Sequence, residues 1–130
     1  MRMIFVNLPV RDLAASRAFF SGLGYSFNED FSDDTAACMV IADNIFAMLL
    51  THEKFQGFIN GEIADGHKVT EVLTALSADS RQEVDDILAK ALKAGAKPWK
   101  PIMDMGFMYG CSFQDLDGHV WEYMFMERPA

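Results

Sequence analysis

Short apolar runs and one amphipathic segment alternate along the first half of the chain. The run from Met3 to Pro9 is rich in β-branched and aromatic residues, which is typical of a strand. A helical pattern follows, with Asp12 as its predicted N-cap and Gly24 just after its end. Three more strands are predicted at residues 25–31, 36–41 and 45–51. The first half therefore has the predicted order β-α-β-β-β.

The second half repeats this order. A strand is predicted at residues 69–76, and a helix follows the capping-box pattern of Ser80 and Glu83 and ends before Gly95. Candidate strands then lie at residues 97–102, 106–114 and 119–126. Three landmarks match between the halves at separations of 67, 71 and 73 residues: Asp12 with Asp79, Gly24 with Gly95, and Cys38 with Cys111.

This repetition predicts an α+β fold made of two β-α-β-β-β units. The first unit covers about residues 1–52, the linker about 53–67 and the second unit about 68–130. Two paired units of this kind form a curved mixed sheet with a cleft, which is a usual place for a small-molecule site. The alternative is a single α+β sandwich whose landmarks coincide by chance.

Composition and charge narrow the classes of partner. The chain has 130 residues, of which 51% are hydrophobic, and a net charge of −8. Such an acidic surface repels phosphate backbones, so we expect no nucleic-acid partner. No apolar run approaches the 18 residues of a membrane span, and no signal-peptide pattern is visible at the start. The two cysteines lack metal-like spacing, so we expect reduced thiols and a cytoplasmic location.

Both ends of the chain carry motifs of a known superfamily. The opening motif comprises Val10–Leu13, Arg17–Phe20 and Leu23–Tyr25, and the closing motif is Phe113–Glu122. They resemble the "V-x-D-L…FY…LGF" opening and the "F-x-D-P-D-G-x-x-x-E" ending of the glyoxalase/bleomycin-resistance/dioxygenase, or vicinal oxygen chelate, superfamily. The resemblance covers nearly the whole chain and implies the fold. It does not select one activity, because the superfamily includes glyoxalase I, extradiol dioxygenases, fosfomycin-modifying enzymes and bleomycin-binding proteins.

The resemblance also implies where a metal would bind. In metal-dependent members a divalent ion is held by up to four side chains, one from the first and last strand of each unit. The corresponding positions here are Phe5, Leu49, Val72 and Glu122. Only Glu122 can coordinate a metal, because the other three side chains have no lone pairs. We therefore predict no cofactor, while a divalent metal held by residues outside this pattern stays open.

Strand alternation assigns further side chains to the expected cleft. Glu122 is the candidate catalytic residue, either as a general base or as a counter-charge for a cation; the alternative is a remnant that faces solvent. Residues 103–110 are rich in methionine, aromatic residues and glycine, which indicates an adaptable wall or, alternatively, core or dimer packing. The residues expected to line the cleft are Phe5, Asn7, Leu49, Val72, Thr74, Met124, Phe107 and Tyr109.

Three functions are compatible with these features. The first is binding of a small, largely apolar organic ligand without the complete metal site, as a homodimer like the resistance proteins of the superfamily. The second is a lyase, similar to lactoylglutathione lyase, or a dioxygenase that uses Glu122 with a metal or as an acid–base residue. The third is a non-catalytic regulatory dimer. Three of the four expected metal-ligand positions hold side chains that cannot bind a metal, which favours the first and third functions.

Overall fold

The computed structural model describes residues 1–127 and divides the chain into two compact units, which meet in sequence between Ala64 and Asp65. Each unit has one mixed β-sheet and one main helix. The first unit contains β1 (Ile4–Val10), α1 (Leu13–Gly22), β2 (Ser26–Asn28), β3 (Ala36–Ala42), β4 (Ile45–Thr51) and a short α2 (His52–Gln56). The second contains β5 (Leu73–Ser77), α3 (Arg81–Lys93), β6 (Lys97–Pro98), β7 (Met103–Asp104), β8 (Met108–Gln114) and β9 (Val120–Met126).

The first unit has a four-stranded sheet in the order β1-β4-β3-β2, in which β1 and β4 are parallel and the other pairs are antiparallel. Helix α1 contacts β3 and β4 and buries Phe19 and Phe20. It begins where the Asp12 carboxylate accepts a 3.0 Å hydrogen bond from the Ala15 N–H, as expected for an N-cap. It ends before Gly24, whose φ of 104° is a conformation that glycine adopts without steric cost.

The second unit repeats the arrangement. Its sheet has the order β5-β9-β8-β6, with β7 also paired to β8, and β5 runs parallel to β9. The predicted Ser80 cap is present at the start of α3, and the Glu83 carboxylate reaches back to the residue before the cap. The Ser80 hydroxyl accepts a hydrogen bond from the Glu83 N–H at 3.0 Å, and the Glu83 carboxylate accepts one from the Asp79 N–H at 2.6 Å.

Helix α3 covers one face of the second sheet. The Cys111 thiol donates to the Val84 carbonyl at 3.7 Å, so the side chains that share a side with Cys111 point toward the helix. Register partners point to the same side of a sheet, which places Trp121, Tyr123 and Phe113 on this face, all buried. We call the opposite side the helix-free face of the second unit.

The predicted α+β fold class is confirmed. The first unit has the predicted β-α-β-β-β order followed by α2, and the second unit has one additional short strand, β7, after its helix. Several predicted strands are shorter than expected. The strand predicted at 25–31 ends at Asn28, because the Asn28 side chain accepts from the Asp30 N–H and starts a 3-10 turn. The strand predicted at 69–76 starts only at Leu73, because the N–H groups of Lys68 and Val69 bond to the Asp65 carbonyl in a turn.

Proline residues, a turn at Gly106 and an unpredicted N-cap at Thr51 account for the other differences between the predicted and observed elements. The strand predicted at 97–102 is reduced to Lys97–Pro98, since Pro98 and Pro101 lack the N–H groups that a longer ladder needs. The strand predicted at 106–114 begins at Met108, after the turn at Gly106. Residues 53–67, predicted as linker, hold most of α2, which Thr51 caps by accepting from the Lys54 N–H. Within residues 1–127, no helix is long and apolar enough to cross a membrane.

Candidate functional site

The helix-free face of the second unit carries Glu122 in a row of register partners. Ala75 on β5 and Ser112 on β8 flank Glu122 on β9. The next row along the sheet contains Ser77, Met124 and Gly110, and the row beyond it contains Met126 and Met108. The row on the other side of Glu122 contains Leu73, Val120, Gln114 and Lys97. The face is therefore rich in methionine and carries one carboxylate and one lysine.

Glu122 is half-buried, and among residues 1–127 its carboxylate has no hydrogen-bond or ion-pair partner. The neighbouring Ser112 hydroxyl instead accepts from the Lys100 N–H at 3.1 Å. A partly buried carboxylate gains more from an added donor or cation than one fully surrounded by water. Glu122 is thus available to a bound molecule.

Met124 lies over Gly110 on the adjacent strand. A Cβ atom placed on Gly110 would stand 2.1 Å from the Met124 sulfur and 3.0 Å from its terminal methyl carbon. The missing side chain at residue 110 therefore leaves the space that Met124 fills. Met124 was predicted to share a face with Glu122, and the register has it on that face.

Three other predicted cleft residues of this unit lie elsewhere. Thr74 pairs with Trp121, so it shares the helix-covered face and not that of Glu122, which corrects the prediction. Val72 precedes β5 and is 58% exposed, outside the sheet where it was expected. Tyr109 is also on the helix-covered side, where its hydroxyl donates to the Asp85 carboxylate at 2.7 Å. That bond to an anion raises the pKa of Tyr109.

Phe107, the remaining predicted residue, lies in a turn between β7 and β8. We call Asp104–Met108 the β7–β8 tip. Arg81 holds this tip: its guanidinium donates to the Gly106 carbonyl at 2.6 Å, lies 3.3 Å from the Asp104 carboxylate and stacks over the Tyr109 ring. The Gly106 N–H and then Arg81 lower the pKa of Asp104. Phe107 itself is 55% exposed.

In the first unit, Phe5 and Asn7 share one face with their register partners Phe46 and Met48. The Phe5 and Phe46 rings are stacked with 4.8 Å between their centroids, and Phe5 remains 47% exposed. Leu49 pairs with Leu8, lies on the opposite side and is fully buried. The prediction that Leu49 lines a cleft together with Phe5 and Asn7 is wrong, because Leu49 is a core residue.

A depression of about 400 Å³ in the first unit was not anticipated from the sequence. The Lys54 ammonium lies 5.6 Å from the Phe58 ring centroid at this site. The sequence signal was the Thr51 cap and Gly57, which bracket α2 within the stretch assigned to the linker. The lining residues are Thr35, Thr51, Glu53, Lys54, Gly57 and Phe58.

Both cysteines are free and buried, and they do not match each other as repeat landmarks. Cys38 pairs with Met48 and so shares the face of Phe5, whereas Cys111 points toward α3. Burial raises the pKa of Cys38 and raises that of Cys111 to about 11. Both thiols therefore stay protonated near neutral pH, which argues against a nucleophilic role.

The two helix caps give the correct match between the units. Helix α3 is capped by Ser80, not Asp79, so Asp12 corresponds to Ser80 and the counterpart of Phe5 is Leu73. Phe5 pairs with Phe46 and Leu73 pairs with Val120. Met48 lies two residues after Phe46 on β4, and Glu122 lies two residues after Val120 on β9. Met48 is therefore the counterpart of Glu122. Two of the positions assigned from the sequence, Leu49 and Val72, are therefore one residue out of register.

Comparison with known proteins places this arrangement among known folds. Residues 2–42 match the model of the bleomycin resistance protein-like N-terminal family. The structure is similar to hypothetical protein SA1046 from S. aureus, with 25% identity over 96% of this chain and 94% of that chain and a TM-score of 0.82. No curated protein sequence gives a significant match.

Two further solved structures carry descriptive names. One is a glyoxalase/bleomycin resistance protein/dioxygenase family enzyme from Burkholderia phytofirmans PsJN, with 18% identity, 97% and 99% coverage and a TM-score of 0.79. The other is the fosfomycin resistance protein FosX from Listeria monocytogenes, with 19% identity, 96% and 93% coverage and a TM-score of 0.70. The chain has the glyoxalase/bleomycin-resistance/dioxygenase fold. The resemblance seen in the terminal motifs is confirmed at this level.

The positions to which the sequence resemblance assigns metal ligands hold poor donors in each unit. After correction of the register they are Phe5 and Met48 in the first unit and Leu73 and Glu122 in the second. The first pair offers one thioether and the second pair one carboxylate, which does not match the histidine and carboxylate sets of divalent-metal sites. Among residues 1–127, no group of three or more histidine, cysteine, aspartate or glutamate side chains is arranged to hold a metal ion.

Proposed function

We propose that this glyoxalase-like protein binds a small, largely apolar organic ligand and holds no resident metal ion. The observation that carries the proposal is the helix-free face of the second unit, where Glu122 has no partner among residues 1–127 and the next two rows of the sheet hold Met124, Met108 and Met126. Small-molecule sites are mainly apolar with a few polar groups that orient the ligand. The composition of this face has that character.

The methionines on this face support binding of ligands that vary in shape. Met108, Met124 and Met126 are all partly or largely exposed, unlike methionines that fill a closed core. Thioether side chains are flexible and polarizable, so they adapt to different apolar surfaces.

The proposal includes a homodimer in the cytoplasm. The dimer is the arrangement that the resemblance to resistance proteins of the superfamily implies. Two free cysteines are in keeping with a reducing compartment. Size-exclusion chromatography with light scattering would give the mass in solution, and a value near 14.6 kDa would contradict the dimer.

Methyl-labelled methionine NMR tests ligand binding directly, because the chain has nine methionines. A set of small neutral apolar compounds should shift the Met124, Met126 and Met108 methyl signals, while the fully buried Met39 serves as the internal control. If no compound moves the three signals more than that of Met39, the binding proposal fails. Elemental analysis of the same sample should find far less than one metal ion per chain, and stoichiometric nickel, zinc or iron would contradict the metal-free reading.

A second candidate function is catalysis by a lyase or dioxygenase of this superfamily that uses Glu122. The observation in its favour is the same unpartnered carboxylate, which could exchange a proton with a bound substrate or contribute one ligand to a metal. If turnover of any substrate is found, Glu122→Gln should abolish it while leaving ligand-induced shifts of the Met124 methyl signal. Turnover that survives this substitution would remove the enzymatic role of Glu122.

A further inference from the structure

The segment between α2 and β5 carries Asn60 directly before Gly61. We propose that Asn60 is a site of spontaneous deamidation, in which its side-chain amide is lost and the residue becomes aspartate or isoaspartate. This inference is independent of the proposed ligand site, because it concerns the first unit and needs no bound molecule. It follows from the exposure of the pair, from the free N–H of Gly61 and from the lack of a side chain at that residue.

The reaction joins a backbone nitrogen to the side chain that precedes it. The Gly61 nitrogen forms a bond to the Asn60 Cγ and gives its proton to water, while the bond from Cγ to Nδ2 breaks and Nδ2 leaves as ammonia. The attack is intramolecular, which makes it far more frequent than attack by a separate amide. One water molecule then opens the cyclic imide at either carbonyl, so the net change is one water consumed and one ammonia released.

The reacting groups are exposed and unpaired. Neither the Asn60 amide nor the Gly61 N–H has a hydrogen-bond partner among residues 1–127. A backbone N–H in a helix or a sheet must first lose its hydrogen bond before its nitrogen can attack, and this costs free energy. The Gly61 nitrogen avoids that cost, because Asn60 and Gly61 lie outside every helix and strand.

Gly61 also leaves open space around the attacking nitrogen. A Cβ atom added to Gly61 would meet no atom within 4 Å, and the φ of +106° is a conformation that glycine adopts without steric cost. The one hydrogen bond of Gly61 goes through its carbonyl, which accepts from the Gln56 side chain at 2.7 Å. That bond holds the carbonyl and leaves the nitrogen free to react.

The other three asparagines of the chain lack this combination and serve as internal controls. Each is followed by a residue with a Cβ atom, which hinders the attack. Asn7 lies in β1 and its amide donates to the Phe5 carbonyl at 3.1 Å. Asn28 lies in β2 and its side chain accepts from the Asp30 N–H at 3.0 Å. Asn44 directly precedes β4.

Deamidation of Asn60 changes the contact between this segment and α2. Both products carry one more negative charge, and isoaspartate routes the main chain through its Cβ, which moves the Gly61 carbonyl. The bond from Gln56, the last residue of α2, should then be lost. We therefore expect faster hydrogen exchange in the isoaspartate form at the amides of Gly57 and Phe58, which close the end of this helix.

Mass spectrometry of proteolytic peptides tests the proposal after incubation of the whole chain at pH 6 and at pH 8. The peptide with Asn60 should gain about 1 Da before any peptide with another asparagine. The gain should be faster at pH 8, because the attacking nitrogen must lose its proton. Gly61→Ala should slow it by about tenfold, whereas Gly57→Ala, a glycine of the same segment that follows no asparagine, should leave the rate within about twofold.

The same chain unfolded in urea gives the reference rate. Deamidation of Asn60 in the folded chain should lie within about threefold of that rate, since nothing has to open first. A folded rate lower by more than about tenfold would overturn the proposal, as would an unchanged rate in Gly61→Ala or an earlier gain at another asparagine. Should Gly61→Ala not fold, the comparison of the folded and unfolded chain decides the question alone.

Discussion

The Met124 side chain fills the space that a side chain at residue 110 would need. The Met124 sulfur lies where a Cβ atom of residue 110 would be, and the Tyr123 carbonyl would be 3.1 Å from that atom. Gly110 is not in a left-handed conformation, so the requirement for glycine comes from space and not from backbone geometry. The position of Met124 beside Glu122 therefore depends on a residue on the neighbouring strand.

We predict that Gly110→Ala moves the Met124 side chain and destabilises the fold by about 1–3 kcal/mol, the usual range for an overfilled site. The Met124 methyl signal should shift strongly, and urea denaturation should give the free-energy change. The double variant Gly110→Ala/Met124→Ala should recover part of the loss, because the added methyl group then has room. An unchanged Met124 signal in Gly110→Ala would contradict this account.

Local signals in the sequence were enough for most of the fold. Asp12 and the Ser80–Glu83 capping box fixed the starts of α1 and α3, and alternating apolar residues located most strands. The face on which each site residue lies was harder, because a one-residue error moves a side chain to the other side of a sheet. Matching Asp12 with Asp79 shifted the assignment from Leu73 to Val72, although the capping box already identified Ser80 as the cap.

The second register error came from matching two residues only because both are cysteines. Cys38 and Cys111 are the chain's two cysteines, and pairing them placed the counterpart of Glu122 at Leu49 instead of Met48. The two thiols point to different kinds of face, so residue type was a false guide to structural equivalence. Which side of a strand meets the helix depends on contacts between distant residues, such as Cys111 with Val84, that residue type alone does not encode.

A second prediction concerns the close approach of two turns at Gly118. Its φ is +84°, and an added Cβ would lie 2.5 Å from the Gly66 carbonyl carbon and 2.6 Å from the His67 nitrogen. Both neighbours are backbone atoms, which cannot move aside as a flexible side chain can. Gly118→Ala should therefore destabilise the chain by at least about 3 kcal/mol, combining the left-handed conformation with the clash.

Gly61→Ala is the matched control for this prediction. Gly61 has a φ of +106° but no atom within 4 Å of the added Cβ, so this variant should lose only about 1–2 kcal/mol from the backbone conformation. The difference between the two variants in chemical denaturation isolates the contact between the turns. Equal losses would show that the close approach costs nothing.

A third prediction concerns the hold of Arg81 on the β7–β8 tip. Arg81→Gln should speed hydrogen exchange at the amides of Gly106 and Phe107 and raise the pKa of Asp104. The rise should be partial, since the Gly106 N–H is the larger cause of the lowered pKa and remains. A control substitution at the exposed Lys93, the last residue of α3, should change neither the exchange rates nor the pKa of Asp104.

The pH dependence of the tip follows from the direction of that shift. Because the pKa of Asp104 is lower in the folded chain than its ordinary 3.8, its contribution to stability is present above that value and is lost as the pH falls through the lowered pKa. NMR titration of the Asp104 carboxyl carbon would measure it. A midpoint at or above 3.8 in the unmodified protein would refute the ion pair and the hydrogen bond as stabilising contacts.

The last prediction concerns Asp115, a buried carboxylate held by three N–H donors. It accepts from the N–H groups of Asp117 and His119 and, at 3.0 Å, from the Trp121 indole, and it is only 4% exposed. Burial is the largest influence on the pKa of Asp115 and raises it. The indole donor offsets part of the cost of keeping this charge away from water.

Trp121→Phe should therefore destabilise the chain by about 2–5 kcal/mol, from the lost donor and the smaller ring together. A raised pKa in the folded chain means that stability linked to Asp115 is fullest below the ordinary value of 3.8 and is lost as the pH rises through the raised pKa. A protonated Asp115 needs the indole less, so the loss caused by Trp121→Phe should shrink as the pH is lowered.

Tyr109→Phe, which removes an exposed hydrogen bond to Asp85, is the comparison and should cost less than about 1 kcal/mol. Denaturation curves of both variants between acid and neutral pH would measure these losses, and a pH-independent loss in Trp121→Phe would show that packing, and not the support of the Asp115 charge, is what the indole contributes.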